Sequence, residues 1–251
     1  MPGAVLLDLS GVLYDGDVVI DGAVDAVGCL RASGLELRFI TNTSRRTRAE
    51  LIEHLHGLGF DVAQQQLFTA VDAARAWLRQ RGLRPYCLVH DNIRSEFDEF
   101  DQRDPDAVFV ADAAQGFTYD ALNRAFRLCQ AGAPLLGVGD NRYFSAGGEM
   151  FMDAGAFIHA IEFAADVQAV IVGKPSADFF ALALDSAGAS AADAFMVGDD
   201  VFADVQGALA AGIPACLVRT GKYRAGDENR VTGEFRVVDS IVQLADELLS
   251  G

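Results

Sequence analysis

The chain has 251 residues and a mass of 26.8 kDa, and its 36 acidic residues outnumber its 20 lysines and arginines, which gives a formal net charge of −16. Hydrophobic residues make up 51% of the chain, which excludes intrinsic disorder and allows a large core without disulfides. Because nucleic-acid backbones attract basic surfaces, this acidic balance predicts no nucleic-acid partner.

Short apolar runs alternate with helical patterns along the whole chain. Strands are predicted, in chain order, at 4–8, 35–41, 86–90, 107–111, 134–138, 169–172, 194–197, 214–219 and 235–238. Helices are predicted at 22–33, 44–58, 72–81, 118–130, 154–165, 177–187, 201–211 and 240–249. Almost continuously apolar strands that alternate with helices are typical of a parallel sheet covered on both faces. The predicted fold class is therefore α/β, with a doubly wound parallel sheet.

The sequence also bears on compartment and on membrane contact. The longest charge-free run, 205–218, contains glycine and proline and is too short to span a bilayer, so no membrane partner is predicted. The first residues lack a cationic start and soon reach Asp8, which predicts a cytoplasmic protein. The four cysteines show no CxxC spacing, which favours reduced thiols over a metal site.

Polar side chains follow four of the predicted strands at the point where each strand ends. They are Asp8; Thr41 with Asn42; Lys174; and Asp199 with Asp200 and Asp204. In open α/β sheets, ligands bind beyond the carboxyl ends of the strands, so we expect these side chains to meet at one edge. Carboxylates hold Mg²⁺, while lysine, threonine and asparagine bind phosphate oxygens. The set therefore indicates a site for a phosphoryl group with Mg²⁺ as cofactor.

Each of these residues, taken singly, also has a purely structural explanation. Asp8 or Asp199 could cap the segment that follows it, and Lys174 could be an ordinary surface residue. Their joint placement at one sheet edge favours a site. Lys174 and Lys222 are the only lysines in a chain rich in arginine. Lys222 does not belong to a P-loop, because that motif would need glycine where Cys216 stands.

At these positions the chain resembles the haloacid dehalogenase superfamily of phosphohydrolases, over nearly its whole length. The matching motifs are Asp8-Leu9-Ser10-Gly11-Val12-Leu13, Ile40-Thr41-Asn42, Lys174, and Gly198-Asp199-Asp200 with Asp204. The long insert between the second and third motifs is similar to the class IIA cap arrangement. Val172-Gly173-Lys174-Pro175 and Thr220-Gly221-Lys222-Tyr223-Arg224 are similar to one phosphatase subgroup within the superfamily.

The resemblance implies a mechanism and a metal site. Asp8 would attack phosphorus and form an aspartyl-phosphate, which divides the transfer into two easier steps. Mg²⁺ would be held by Asp8, the backbone carbonyl of Ser10, and Asp199, with Asp200 and Asp204 in support. The implied enzyme is a phosphatase whose partner is a small phosphorylated substrate.

The resemblance also implies how the phosphate is bound and how the chain is divided. Thr41, the Asn42 backbone and Lys174 would bind the phosphate. The expected domains are a core at 1–71 and 166–251 and a smaller α/β cap at 72–165. Contacts from the cap to the substrate are expected from Asn141, Arg142 and Tyr143, for which a plain surface loop is the alternative. Relatives often pair through the cap, so both a homodimer and a monomer stay open.

Ser10 departs from the common superfamily pattern, which has a second aspartate at this position as general acid and base. The subgroup shares the serine. A hydroxyl does not titrate near neutral pH, and positioned acid–base help is typically worth 10²–10⁴-fold. We therefore expect substrates whose leaving groups need little protonation, such as phosphoramidates, pyrophosphate or aryl phosphates.

Three other functions stay open at this point. Ser10 is compatible with a catalytically weak binding or regulatory protein on the same scaffold, and the motifs are also compatible with a phosphotransferase. A receiver-type signalling domain also uses aspartate, threonine and lysine around Mg²⁺. Its paired acids come first in the chain, however, whereas Asp199 and Asp200 come near the end of this one.

Overall fold

The computed structural model describes residues 2–146 and 149–250. The strands are β1 (Ala4–Asp8), β2 (Tyr14–Asp15), β3 (Val18–Val19), β4 (Glu36–Thr41), β5 (Leu67–Thr69), β6 (Pro85–Leu88), β7 (Ala107–Val110), β8 (Leu135–Gly137), β9 (Tyr143–Ala146), β10 (Glu149–Met152), β11 (Val170–Ile171), β12 (Ala194–Gly198), β13 (Ala215–Val218) and β14 (Arg236–Val238). The α-helices are α1 (Ala23–Ala32), α2 (Arg48–Gly57), α3 (Ala70–Arg81), α4 (Tyr119–Gln130), α5 (Ala154–Ala165), α6 (Ala177–Ala187), α7 (Gly207–Ala210) and α8 (Ile241–Leu249).

Six parallel strands form the larger sheet, in the spatial order β14-β13-β12-β1-β4-β5. All five residues of β1 are buried, because this strand lies inside the sheet with β12 on one side and β4 on the other. One face packs against α1, α2 and α8, and the other packs against α6 and the segment 201–210. The predicted doubly wound α/β fold is confirmed.

A second, smaller sheet has four parallel strands in the order β11-β8-β7-β6. It shares a separate apolar core with α3, α4 and α5. Phe97 and Phe109 are fully buried there, with ring centroids 5.3 Å apart. The chain thus has two α/β bodies of different size, each with its own buried side chains.

Several elements differ in detail from the sequence-based expectation. Helix α2 begins at Arg48 because Thr47 and Glu50 form a reciprocal capping box, with the Thr47 amide 2.8 Å from the Glu50 carboxylate. The predicted helix at 201–211 opens instead as a π-helix, Val201–Gln206. Two short antiparallel hairpins, β2 with β3 and β9 with β10, were not predicted. None of the helices among residues 2–146 and 149–250 is long and apolar enough to cross a bilayer.

Candidate active site

The carboxyl ends of three strands of the larger sheet and of one strand of the smaller sheet bring the predicted site residues together. Asp8 is the last residue of β1, Thr41 is the last residue of β4, and Asp199 directly follows β12. Lys174 follows β11 by a short loop. All four side chains are buried, and all line one cavity of about 200 Å³. The expected convergence holds for Asp8, Thr41 and Asp199 at one edge of the larger sheet. Lys174 differs from the prediction, because β11 pairs with β8 in the smaller sheet and Lys174 reaches the cavity from there.

Lys174 joins two carboxylates of this cavity. Its Nζ atom lies 2.7 Å from Oδ1 of Asp8 and 2.7 Å from Oδ1 of Asp204. Only 3% of the Lys174 surface is exposed, and burial alone would lower its pKa. The charges of Asp204 and Asp8 outweigh this effect and raise the pKa of Lys174 above its usual value. The ammonium group is therefore held in its charged form beside Asp8.

Three buried carboxylates form a cluster that fits a divalent cation. Asp8, Asp199 and Asp204 each offer an oxygen, and these oxygens all lie within 4.8 Å of one another. Oδ1 of Asp199 is buried and has no hydrogen-bond partner among residues 2–146 and 149–250. Burial, reinforced by Asp8 and Asp204, raises the pKa of Asp199 to about 8. A hard dication with oxygen ligands would satisfy this oxygen and remove the repulsion, so the residues present fit Mg²⁺.

Two glycines allow the loops on either side of Asp199 to approach it closely. A Cβ atom at Gly11 would lie 2.0 Å from Oδ2 of Asp199, and one at Gly221 would lie 2.2 Å from the same atom. Both glycines have positive φ angles, which side chains disfavour. The Lys222 amide donates to that Oδ2 over 2.8 Å. The loops at 10–11 and 220–222 therefore enclose the carboxylate of Asp199.

Lys222 is a site residue that the sequence reasoning missed. Its Nζ atom lies 2.7 Å from Oδ2 of Asp200. Burial would raise the pKa of Asp200, but the Lys222 ammonium and the amides of Ala203 and Phe202 together outweigh burial and lower that pKa below its usual value. Asp200 also accepts hydrogen bonds from the amides of Phe202 and Ala203, so it caps the π-helix. The available signal was that Lys222 is one of only two lysines in the chain.

The residues expected to bind phosphate form a connected polar group. Thr41 Oγ1 donates to Thr43 Oγ1 over 2.9 Å and accepts from the Thr43 amide over 3.0 Å. The Asn42 side chain donates to the Lys174 carbonyl over 2.8 Å and accepts from the Lys174 amide over 2.9 Å. The Asn42 side chain thereby positions the backbone of Lys174, a function that its sequence position did not reveal.

The three residues proposed as cap contacts lie in two neighbouring cavities. Asn141 accepts from Nδ2 of Asn42 over 3.1 Å and lies 3.4 Å from the Asp200 carboxylate, so it reaches the cavity that contains Asp8. Arg142 and Tyr143 line an adjacent cavity of about 300 Å³ instead. Arg142 is exposed, and its guanidinium lies 5.6 Å from the centre of the Phe202 ring.

Residues that were not predicted also line this cavity, among them Arg45, Asp112, Phe144 and Asp153. Arg45 forms an ion pair with Asp112 and lies 4.6 Å over the ring of Phe144. Asp153 is the N-cap of α5 and shares the cavity. Asp112 follows a predicted strand, as the other acids do, so the strand-end rule could have found it. Ser10 also lines this cavity and is exposed to it.

Known protein families match both parts of the larger sheet. A model described as haloacid dehalogenase-like hydrolase matches residues 5–103, and a HAD-hydrolase-like model matches residues 171–244. The chain belongs to the haloacid dehalogenase-like hydrolases, as its motifs predicted.

Individual relatives narrow this assignment. Phospholysine phosphohistidine inorganic pyrophosphate phosphatase of Homo sapiens is 43% identical over 98% of this chain and 93% of its own length. Haloacid dehalogenase-like hydrolase domain-containing protein 2 of Rattus norvegicus is 41% identical over 98% of this chain and 95% of its own length. The resemblance to the first of these proteins was carried by the Lys174 and Lys222 motifs and is confirmed.

Solved structures agree at the level of the fold. The 4-nitrophenylphosphatase of Thermotoga maritima superposes with a TM-score of 0.88 at 24% identity, covering 98% of this chain and 97% of its own. NagD of E. coli superposes with a TM-score of 0.84 at 22% identity, covering 96% of this chain and 98% of its own. These structures share the predicted α/β fold, and the phosphatase names of the relatives agree with the predicted enzyme class.

Proposed function

We propose that this chain is a Mg²⁺-dependent phosphohydrolase that acts through an aspartyl-phosphate on Asp8. The observation that carries the proposal is the shared ammonium of Lys174, which lies 2.7 Å from Asp8 inside a cavity that also contains Asp199 and Thr41. The Lys174 ammonium can offset the negative charge of an incoming phosphate beside Asp8, so Lys174 supports attack by the Asp8 carboxylate.

The residues of the cavity divide between the metal and the phosphate. Asp8, Asp199 and the backbone carbonyl of Ser10 would hold Mg²⁺, with Asp200 and Asp204 in support. When bound, the ion would supply positive charge against the phosphate oxygens. Lys174 and the hydroxyl of Thr41 would bind those oxygens, and Asn42 would fix the backbone of Lys174 through its two hydrogen bonds.

The reaction would then proceed in two displacements at phosphorus. An Asp8 oxygen forms a bond to phosphorus while the bond from phosphorus to the leaving group breaks. Water then attacks the aspartyl-phosphate, which releases inorganic phosphate and restores Asp8. Fixed donors and charges around the cavity stabilise both transition states without having to reorganise.

The substrate class we propose follows from Ser10. Serine cannot protonate a leaving group near neutral pH, so we propose small phosphorylated compounds with P–N bonds, pyrophosphate or aryl phosphates. One relative carries phospholysine, phosphohistidine and inorganic pyrophosphate in its name, which supports the first two classes. We further propose that residues 72–165, which include most of the second sheet, form a cap that selects the leaving group and excludes water.

The direct test is phosphate release by the purified chain with Mg²⁺, across aryl ester, pyrophosphate and phosphoramidate substrates. Asp8→Asn removes the nucleophile but retains its size, so release should fall to the uncatalysed rate. A matched control is Asp239→Asn, which changes an exposed acid whose only ion-pair partner among the described residues is Arg219. Full turnover by Asp8→Asn, or none by the unaltered chain, would contradict the proposal.

A further inference from the structure

The position that usually supplies a proton to the leaving group holds Ser10, and a different carboxyl group lies in the same cavity. Asp153 lies between β10 and α5, in the part of the chain that we assign to the cap. It lines the cavity together with Asp8, Ser10 and Lys174. The core therefore lacks the usual proton donor in this cavity, and the proposed cap contributes a carboxyl group, Asp153, to the same cavity.

The hydrogen bonds of Asp153 leave one of its oxygens available. Oδ1 accepts from the Ala154 amide over 2.7 Å, as an N-cap does, and the Asp153 amide donates to the Arg142 carbonyl over 3.1 Å. Oδ2 makes no hydrogen bond within residues 2–146 and 149–250. A hydrogen bond from the backbone thus fixes the carboxyl group at Oδ1, and Oδ2 is available to a substrate.

The remaining acids of the cavity are less suited to proton transfer. Asp112 uses both oxygens, since Oδ1 accepts from the Ala114 amide over 2.9 Å and Oδ2 pairs with Arg45. Asp200 is occupied by Lys222 and by two amides. Asp15 is exposed to solvent, whereas Asp153 is half-buried.

The surroundings of Asp153 favour its protonated form. Burial raises the pKa of Asp153 above its usual value. The charged groups that face it are Lys222 from the loop after β13, Asp112 from the loop after β7 and Arg45 from the loop after β4. The two cations oppose the increase and Asp112 adds to it, and burial is the largest of these effects. A general acid should hold its proton close to the working pH, which this environment promotes.

We infer that Asp153 takes over part of the acid–base function of the aspartate that Ser10 replaces. Leaving groups that need protonation then turn over slowly but measurably, and a further proton donor at position 10 would raise their rate. This inference rests on the proposed function. The Asp153 proton passes to the oxygen or nitrogen of the leaving group as its bond to phosphorus breaks, which leaves Asp153 ionised. In the second displacement the attacking water gives one proton back to Asp153, and its hydroxyl group joins phosphorus.

The test compares leaving groups in the full chain with saturating Mg²⁺. The variant is Asp153→Asn, because asparagine is an equally good N-cap and should leave α5 intact. We expect kcat/KM for glycerol 2-phosphate to fall about 100-fold, while that for p-nitrophenyl phosphate changes by less than about threefold. The reason is that an alkoxide needs protonation as it leaves and a nitrophenolate does not.

Two matched variants separate proton transfer from a structural role. Asp112→Asn alters a carboxyl group of the same cavity whose oxygens both already have hydrogen-bond or ion-pair partners. This variant should change kcat/KM for both substrates by the same factor. Ser10→Asp, added to Asp153→Asn, places a proton donor in the core. The double variant should therefore restore the ratio of kcat/KM for glycerol 2-phosphate to kcat/KM for p-nitrophenyl phosphate. The alkaline limb of the kcat/KM profile for the alkyl ester should flatten in Asp153→Asn.

The outcomes have distinct meanings. Equal losses on both substrates, or no loss on either, would overturn the role of Asp153 and leave the proposed phosphatase intact. If Asp8→Asn retained full activity on p-nitrophenyl phosphate, the proposed function itself would fail instead.

Discussion

The ammonium of Lys174 lies 2.7 Å from Oδ1 of Asp8, and the same nitrogen lies 2.7 Å from Oδ1 of Asp204. One buried cation is thus shared between the end of β1 and the π-helix after β12. Because the two acids are buried as well, neither can regain solvation by water if the lysine is lost.

Lys174→Met should therefore cost both activity and stability. Removal of one partner of a buried ion pair typically destabilises by about 3–5 kcal/mol, and we expect that range at pH 8 without metal, measured by urea unfolding. The loss should be smaller at pH 5, because burial raises the pKa of Asp204 to about 6 and a protonated Asp204 no longer needs the lysine's charge. As a control, Arg84→Met breaks the half-exposed pair with Asp106 and should cost at most about 1 kcal/mol. Equal costs for the two variants would contradict this account of Lys174.

The acid cluster predicts a stability that depends on pH and metal together. The folded-state pKa of Asp199 is about 8, so without metal the native state keeps a proton that the unfolded chain releases near pH 4. Folding stability should then fall as the pH rises from about 4 to 8, by a few kcal/mol at most. Mg²⁺ should reverse this loss, because it replaces the proton at the carboxylates.

Asp199→Asn tests the same relationship. The metal-free variant should be more stable than the unaltered chain at pH 8, and its unfolding midpoint should not respond to Mg²⁺. Thermal unfolding at several pH values, with EDTA or Mg²⁺, measures both effects. A variant that still gained stability from Mg²⁺ would show that the ion binds elsewhere.

Substitution of Gly11 by alanine should impair phosphate release and Mg²⁺ binding. Gly11→Ala would place a Cβ atom 2.0 Å from Oδ2 of Asp199, at a φ of +85°. Gly34 has almost the same φ, +87°, and open space around its missing Cβ, so Gly34→Ala carries only the backbone penalty of about 1–2 kcal/mol. We expect phosphate release and Mg²⁺ affinity to collapse in Gly11→Ala and to persist in Gly34→Ala. Similar activities in the two variants would argue against close enclosure of Asp199.

Ser10→Asp should increase, rather than decrease, the turnover of alkyl phosphates. The exposed serine lines the cavity beside Asp8, and an aspartate there could protonate an alkoxide leaving group. Steady-state kinetics should show faster turnover of alkyl phosphates relative to p-nitrophenyl phosphate. If the ratio of the two rates stayed constant, the link between Ser10 and substrate class would be wrong.

The fold class and the main elements were predictable because they depend on local patterns. Apolar runs such as 4–8 and 194–197 read as buried strands, and the polar residues that end them had to meet wherever parallel strands align. Chain order therefore placed Asp8, Thr41 and Asp199 at one edge of the larger sheet. It did not reveal that the strand before Lys174 pairs in the smaller sheet, because strand pairing depends on tertiary contacts. The boundaries were less accurate where side-chain capping decided them, as Thr47 and Glu50 did for α2.

The tertiary structure alone decided which of these groups touch. Three such contacts join segments that are far apart in the chain. Lys222 pairs with Asp200, the Asn42 side chain binds the backbone of Lys174, and Asp153 lines the cavity that contains Asp8. No periodicity records such contacts, because they depend on how the two sheets and their loops pack. The sequence by itself determined the fold and the type of chemistry. Packing determined which charged groups lie next to each other at the site, and those neighbours together with burial set the pKa of each group.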